Sequence, residues 1–394
     1  MMTARAAPPP KRDWSLRSRA VRAVLYQALA LGLIGLAIWF LAHNTLQNMR
    51  VRGIQSGFDF LSGPAGFDIG ELMIPYESID PYWKAFLVGV LNTLRVAIIG
   101  IVLTTLLGTL IGIGRFSGNA IVRGLCYGYV ELFRNVPVLL QLLVWYLLLT
   151  EWLPDPGEPI SVAGLFFLSK GGFSFPVPVW QAGQGLAAIG ALVGGVLAWA
   201  WARAARRRFE QTGLPRAVLL PAIALVIGGA VIGWLLGGAP SEWNVPKSGE
   251  VAVDGGSSFT PEFISVLLGL TFYTAAFVAE VVRAGIASVP RGQSEAAAAL
   301  GLSTGHQMRL VVLPQALRVI IPPMTNQFLN LTKNSSLAVA IGYPDVVSIS
   351  NTAINQTGRA VECIALIMAV YLTTSLLTSG LMNWYNQRAA IKER

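Results

Sequence analysis

Apolar and polar positions fall along this chain in long blocks rather than in short alternations. An uncharged apolar stretch fills residues 23–42, and further runs follow at about 85–114, 124–149, 183–202, 217–238, 262–283, 319–343 and 362–384. A helix needs about 20 apolar residues to cross the hydrocarbon core of a bilayer. The pattern therefore predicts an all-α, polytopic membrane protein with about eight transmembrane helices. Two runs are impure. Glu131, Arg134, Asn135 and Pro137 interrupt the third, and Asn326, Asn330, Lys333 and Asn334 punctuate the seventh. The first run follows a basic segment, residues 1–22, with Lys11, Arg12, Arg17, Arg19 and Arg22. Its length and the lack of an A-x-A site after it predict an uncleaved first span rather than a removed signal.

Composition agrees with lipid as the solvent. Of 394 residues 54% are hydrophobic and only 12% charged, about half the charge of an ordinary soluble domain. The net charge of +9 sits beside the apolar runs, which argues for positive-inside anchoring rather than nucleic acid. With the N-terminus in the cytoplasm and eight alternating spans, most of the basic residues fall inside, led by Arg203, Arg206, Arg207 and Arg208, and most acidic residues fall outside. Both termini are then cytoplasmic. The two cysteines, Cys126 and Cys363, lie near opposite faces and should not pair. No Cys/His spacing suits zinc or haem.

On this topology Asn44–Trp83, Glu151–Gln181 and Ala239–Thr260 are outside. The first is expected to be irregular, and the prolines of the second exclude long helices. None is large enough for a catalytic domain, and no G-x-x-x-x-G-K-[ST] motif is present. The longest inside loop is Ala284–Arg318. Its run Glu295–Leu300 is rich in helix formers, Gly301 suits a helix end, and Ser303 can cap a second helix that Pro314 interrupts. The expectation is two short helices with a bend at the membrane face. Taken alone, that is equally a surface connector.

Glu295, Ala296 and Ala297, followed by Gly301 and then Leu313 and Pro314, resemble the EAA loop of ABC-importer permeases. Tyr129–Pro137, Ala279–Ile286, Pro314–Arg318, Asn326–Phe328 and Lys333–Leu337 are similar to the polar amino-acid (histidine/glutamine-type) permeases within that group. The resemblance covers roughly residues 84–390. The long form, with its added first helix and a helical hairpin at 183–238, resembles the Q-type permeases of general L-amino-acid importers. This implies a type I importer core of five helices in residues 84–390 and a cytoplasmic coupling loop at 284–318. It also implies uptake of many L-amino acids across the bacterial inner membrane by alternating access. The implied partners are a separate ABC ATPase, itself a homodimer, a second homologous permease as heterodimer partner, and a periplasmic amino-acid-binding protein. ATP and magnesium would be used by the ATPase, with no cofactor bound by this chain.

The seventh run carries the most polar chemistry. Asn326, Asn330, Lys333 and Asn334 share one helical face, with Ser335 and Ser336 next to it. A lysine within a span costs about 2.5–3.5 kcal/mol on insertion scales, so it faces a cavity or a partner. Two readings stand: a substrate path with Lys333 beside a carboxylate, or a polar seam against the second permease. Arg95 either meets a carboxylate or snorkels. Glu280 either pairs with Arg283 or meets a substrate amine, and Glu131 is expected to pair with Arg134. A secondary transporter or channel for small polar solutes is the alternative from another class, but it would need intramembrane acids that these spans largely lack.

Overall fold

The computed structural model describes residues 19–389, apart from positions 52, 54, 55 and 215. Helix α1, Arg19–Val51, outruns the first apolar stretch, so residues 44–51, expected to be irregular, continue it. Helix α2 is Tyr82–Gly114. The third run is bent: α3, Ala120–Asn135, and α4, Val138–Glu151, meet at 106°. Pro137 drives Val136 into the extended region (φ −94°, ψ 126°), as the residue before a proline prefers. The buried Gln141 repairs the break by donating from Nε2 to the carbonyls of Phe133 and Val136, both at 2.9 Å.

The next segment forms short strands, β1 (Ile160–Val162), β2 (Phe166–Ser169), β3 (Gly172–Phe175) and β4 (Val177–Pro178). Helices α5, Ala182–Thr212, and α6, Leu219–Leu236, make a hairpin. After it come β5 (Trp243–Asn244), β6 (Lys247–Ser248), β7 (Val253–Asp254) and β8 (Ser257–Phe259). An antiparallel sheet of order β1-β2-β3-β8 results, with Phe173 opposite Phe259. β4 pairs with β5 and so closes the base of the hairpin. Helix α7 runs Pro261–Ala287, capped by the Thr260 hydroxyl, which accepts from Phe263 N at 3.2 Å. Two short helices, α8, Arg291–Ala299, and α9, Thr304–Gln307, precede α10, Leu313–Asn334. A 3-10 stretch, Ser335–Ile341, leads to α11, Val346–Thr357, and α12, Ala360–Ala389. Among the described residues six helices are long and apolar enough to cross a membrane, and two bent pairs bring the number to eight.

The chain divides into two compact units, one ending at Val90 and resuming for Val346–Thr374, the other comprising Leu91–Asp345 and the chain from Ser375. In the first, Phe60, Ala65, Ile69 and Tyr76 pack with Tyr82, Phe86, Val346, Ile349 and Cys363. The buried Arg359 donates to Gly57 O and to Asp59 Oδ2, both at 3.1 Å, and Glu362 accepts from Gly57 N at 2.7 Å. Residues 57–81 are irregular, as expected, apart from a 3-10 turn at Asp59–Ser62 and a bridge between Pro64 and Pro81, and these contacts hold them in place. There Lys84, hydrogen-bonded at 2.6 Å, keeps the Asp80 carboxyl below its ordinary pKa, and burial raises the Tyr76 phenol.

In the second unit α7 is the hub. It packs on α3, α4 and α10, and α2 approaches it through glycine. A Cβ on Gly108 would lie 2.6 Å from the Val278 side chain and 2.8 Å from Ala275 O. Without a hydrophobic force between helices in lipid, such close backbone approach supplies much of the packing energy. Val96, Leu142, Phe263, Leu270, Leu331 and Tyr343 fill one core cluster, and Val278, Val282, Ala316, Ile320 and Phe328 another.

Candidate coupling loop and substrate path

Helix α8 ends as its sequence requires. Gly301 takes φ +74°, and two bonds close the end, Leu302 N to Ala297 O at 3.2 Å and Gly301 N to Ala298 O at 2.9 Å. This is a Schellman cap, which glycine favours. Ala297 is 3% exposed and faces the body of the chain, whereas Glu295, Ala296, Ala298 and Ala299 are exposed and Leu300 is 81% exposed. A small-residue surface ending in a bare leucine is therefore presented outward.

The second half of the loop departs from expectation. Ser303 takes the backbone position of an N-cap, but its hydroxyl bonds His306 Nδ1 at 2.7 Å instead of a backbone amide. Pro314 does not interrupt the helix. A π-helical turn, Met308–Val312, widens the backbone ahead of it, and Pro314 falls in the first turn of α10, where a missing N–H is tolerated. Leu313 is exposed and Pro314 half-buried. The Gln315 amide donates to Val311 O at 3.0 Å and to Gln293 Oε1 at 3.4 Å, so α8 is tied directly to the root of α10.

The polar face of α10 divides. Asn330 and Asn334 line a cavity of about 300 Å³ together with Gln327 and with Tyr273, Thr274 and Phe277 of α7. Asn326 and Lys333 are exposed and do not line it. Ser335 Oγ turns back to Thr332 O at 2.7 Å and Ser336 Oγ to Lys333 O at 2.8 Å, so both hydroxyls serve the helix end. Thr274 is 2% exposed, and its Oγ1 has no hydrogen-bond partner among the described residues. Thr274, Tyr273 and Gln327 were not singled out from the sequence. The available signal was Thr271 and Thr274 at helical spacing in an otherwise apolar run.

The other two candidates lie elsewhere in this unit. The Arg95 guanidinium stacks over Phe263 at 4.2 Å and Phe259 at 5.0 Å. Phe259 ends β8, so the sheet and α2 share this contact. Glu280 binds Arg283, with Nη2 to Oε1 at 2.5 Å, and also binds Arg115 at the end of α2. Its two oxygens are thus both engaged, and Arg115 was not foreseen as a partner. The expected Glu131–Arg134 pair does not form. Glu131 instead accepts from Asn135 at 3.4 Å, and Arg134 lies over the Phe277 ring at 5.3 Å.

The exposed helix α8 is thus tied through Gln293 and Gln315 to α10, which borders a polar cavity. The profile of the family described as "Binding-protein-dependent transport system inner membrane component" matches residues 104–391. The chain belongs to this family. It is 45% identical over 388 residues to the general L-amino acid transport system permease protein AapQ of Rhizobium johnstonii, covering 97% of this chain and 96% of that one. It is also 45% identical to the putative amino-acid ABC transporter permease protein YhdX of Escherichia coli, over 98% of both chains. A third relative is the glutamate/glutamine/aspartate/asparagine transport system permease protein BztB of Rhodobacter capsulatus, 38% identical over 99% of both. The chain is thus the multi-span membrane component of an ABC importer. Its family is that of a transporter's permease subunit, and the extra helices α1, α5 and α6 lie within the stretch shared with these long relatives.

Proposed function

We propose that this chain is one permease of a heterodimeric importer of L-amino acids of broad range, with both termini and α8 in the cytoplasm. The exposed face of α8 supports this reading most directly, because a capped helix of alanines with Glu295 and Leu300 bare has the shape to enter a cleft on another subunit. That subunit is an ABC ATPase dimer that uses ATP and magnesium. The substrate is delivered from the other side by a periplasmic amino-acid-binding protein. Nucleotide-driven movement of the ATPase shifts α8. The Gln293–Gln315 contact and the unbroken π-to-α backbone carry that shift into α10, and α10 reshapes the cavity it shares with α7. Asn330, Asn334, Gln327 and the Thr274 hydroxyl offer donors and acceptors for an amino acid's polar ends. The exposed Asn326–Lys333 edge faces the second permease, where Lys333 meets either its partner helix or the substrate carboxylate.

The test is copurification and uptake. The intact chain should bring down an ATPase subunit, and Glu295→Lys should lower uptake of labelled L-amino acids at least about tenfold, as expected when a charge is reversed at an interface core. Free copurification with unaltered uptake in Glu295→Lys would refute the docking role. Lys333→Met separates the two readings of that lysine. Loss of uptake with intact assembly supports a carboxylate contact, and loss of the heterodimer supports the seam.

A further inference from the structure

The α5–α6 hairpin takes no part in the site described above, yet one face of α5 has chemistry of its own. Trp199, Ala202, Arg203, Arg206, Arg207 and Glu210 line a notch of about 630 Å³ at the arginine end of the hairpin. They recur every three or four residues, so they occupy a single side of the helix. The Arg203 guanidinium lies over the Trp199 ring at 5.0 Å, which orients it without neutralising it. Arg206 reaches Glu210 at 3.3 Å, a pair exposed to solvent, and such pairs hold little. Arg207 makes no ion pair or hydrogen bond among the described residues. Three arginines against one glutamate leave the notch positive.

The same 100° spacing carried toward the other end of α5 brings Ile189, Leu192 and Val196 above Trp199 on that side. Each is more than half exposed. From Ile189 to Trp199 is about 15 Å of helix, half the thickness of a bilayer's hydrocarbon core. One face therefore presents, in order, an apolar stripe of one leaflet's depth, an interfacial tryptophan, and a positive notch with an uncommitted arginine.

We infer that this face of α5 is a binding site for an anionic diacyl phospholipid, with its phosphodiester held by Arg203, Arg206 and Arg207 and one acyl chain along Val196, Leu192 and Ile189. The charge of the notch complements the phosphate, guanidinium groups suit it in geometry, and the stripe accounts for the lipid tail that a free anion lacks. Arg208, which the helical spacing puts on the opposite side of α5, is outside the site.

Native mass spectrometry of the delipidated full-length chain, titrated with dioleoyl-phosphatidylglycerol or dioleoyl-phosphatidylcholine, reads the site directly. The wild type should bind one phosphatidylglycerol at least about tenfold more tightly than phosphatidylcholine, in keeping with the attraction of clustered basic residues for anionic headgroups. The R203Q/R206Q/R207Q variant should lose that preference, and R208Q should keep it. R203K/R206K/R207K retains the charge that orients the hairpin during insertion. It should bind about threefold or more weakly, because lysine lacks the planar fork. Equal binding of the two lipids by the wild type overturns the inference without recourse to any variant. So does an R208Q loss equal to that of the triple glutamine variant, which would mean diffuse attraction. Displacement of the lipid by inorganic phosphate would mean a site for a bare anion and would overturn the lipid assignment.

Discussion

Helices α7 and α5 have the same mean hydropathy in their most apolar stretches, yet 56% of that stretch is buried within the chain in α7 and 11% in α5. Hydropathy reports that a segment lies in lipid, and says nothing of how many protein neighbours it has. The distribution of small residues does. In α7, Thr271, Thr274, Ala275, Ala276, Ala279 and Gly285 are buried on several sides of the helix, and each side admits a different partner. In α5 the close contact is a single seam toward α6, where a Cβ on Gly190 would lie 2.0 Å from Gly229 O. The remaining sides carry Leu192, Val193, Val196 and Leu197, all exposed. One helix is the centre of a packed unit, and the other is half of a self-contained pair.

The sharpest way to break this comparison is to put a side chain where α7 leaves no room. Gly108→Leu would drive carbon into Val278 and into the carbonyl of Ala275, and a backbone carbonyl cannot swing aside. Overpacking of this kind costs about 1–3 kcal/mol and more where backbone must move. Gly195→Leu on α5 meets nothing within 4 Å, and its cost should stay within about 0.5 kcal/mol. Size-exclusion profiles of the two variants in detergent should show loss of monodisperse protein for Gly108→Leu and a wild-type peak for Gly195→Leu. Matching profiles would mean that α2 and α7 do not approach as described.

The next effect concerns charge at the inner end of α7. Glu280 neutralises both Arg115 and Arg283, so Glu280→Gln leaves two arginines facing one neutral amide. Stranding a fully buried charge costs about 3–5 kcal/mol. The groups here are between 12% and 36% exposed, which reduces the expectation to about 1–2 kcal/mol. A thermal-unfolding comparison should find Glu280→Gln destabilised and the Arg206→Gln change on α5 neutral. If Glu280→Gln unfolds at the wild-type temperature, the three-residue cluster contributes nothing to holding α2 on α7.

Much of this difference was legible in the sequence, and what was hidden has a common cause. The apolar runs, the end of α8 at Gly301, and the shared face of Asn326, Asn330 and Lys333 all follow from spacing within one element. The break at Pro137 showed only as impurity in a run, because a proline and three polar residues weaken a span without saying whether it bends. The order of residues 57–81 rests on Arg359 and Glu362, some 300 positions along the chain, and no local pattern records such a partner. The cavity is hidden for the same reason. Asn330 was visible on its helix, but Thr274 acquires meaning only when α7 packs against α10. Arg115 likewise becomes the second partner of Glu280 only through the α2–α7 contact.

A smaller effect should separate the cavity side of α7 from its packed sides. Thr274→Val keeps shape and removes a hydroxyl that has no partner among the described residues. Deleting an unsatisfied buried polar atom is neutral or stabilising by up to about 1 kcal/mol. Stability should therefore hold, while KM for amino-acid uptake should rise about three- to tenfold, as loss of one hydrogen bond predicts. The combination matters: lowered stability with unchanged KM would assign the hydroxyl to packing.

The smallest expected effect on the packed unit is also the largest change in covalent terms, removal of the hairpin itself. The ends of α5 and α6 are brought together by β4 and β5, with Pro178 opposite Trp243 and Val179 N bonded to Glu242 O at 3.0 Å. The chain could pass from one side of this ladder to the other through a two-residue turn, the commonest antiparallel connection. An excision of residues 181–240 closed by Asn-Gly removes two spans at once and so leaves the orientation of every later helix unchanged. If the hairpin is self-contained, α7 loses no buried contact, and the shortened chain should unfold within about 1 kcal/mol of the intact one, as changes remote from a packed site do. A shortened chain that aggregates, or in which Glu280→Gln no longer lowers the unfolding temperature because Arg115 of the α2 end has left Glu280 of α7, would show that α5 and α6 support the packed unit after all. Retention of the Glu280→Gln effect in the shortened chain would establish that equal hydropathy conceals two structural roles.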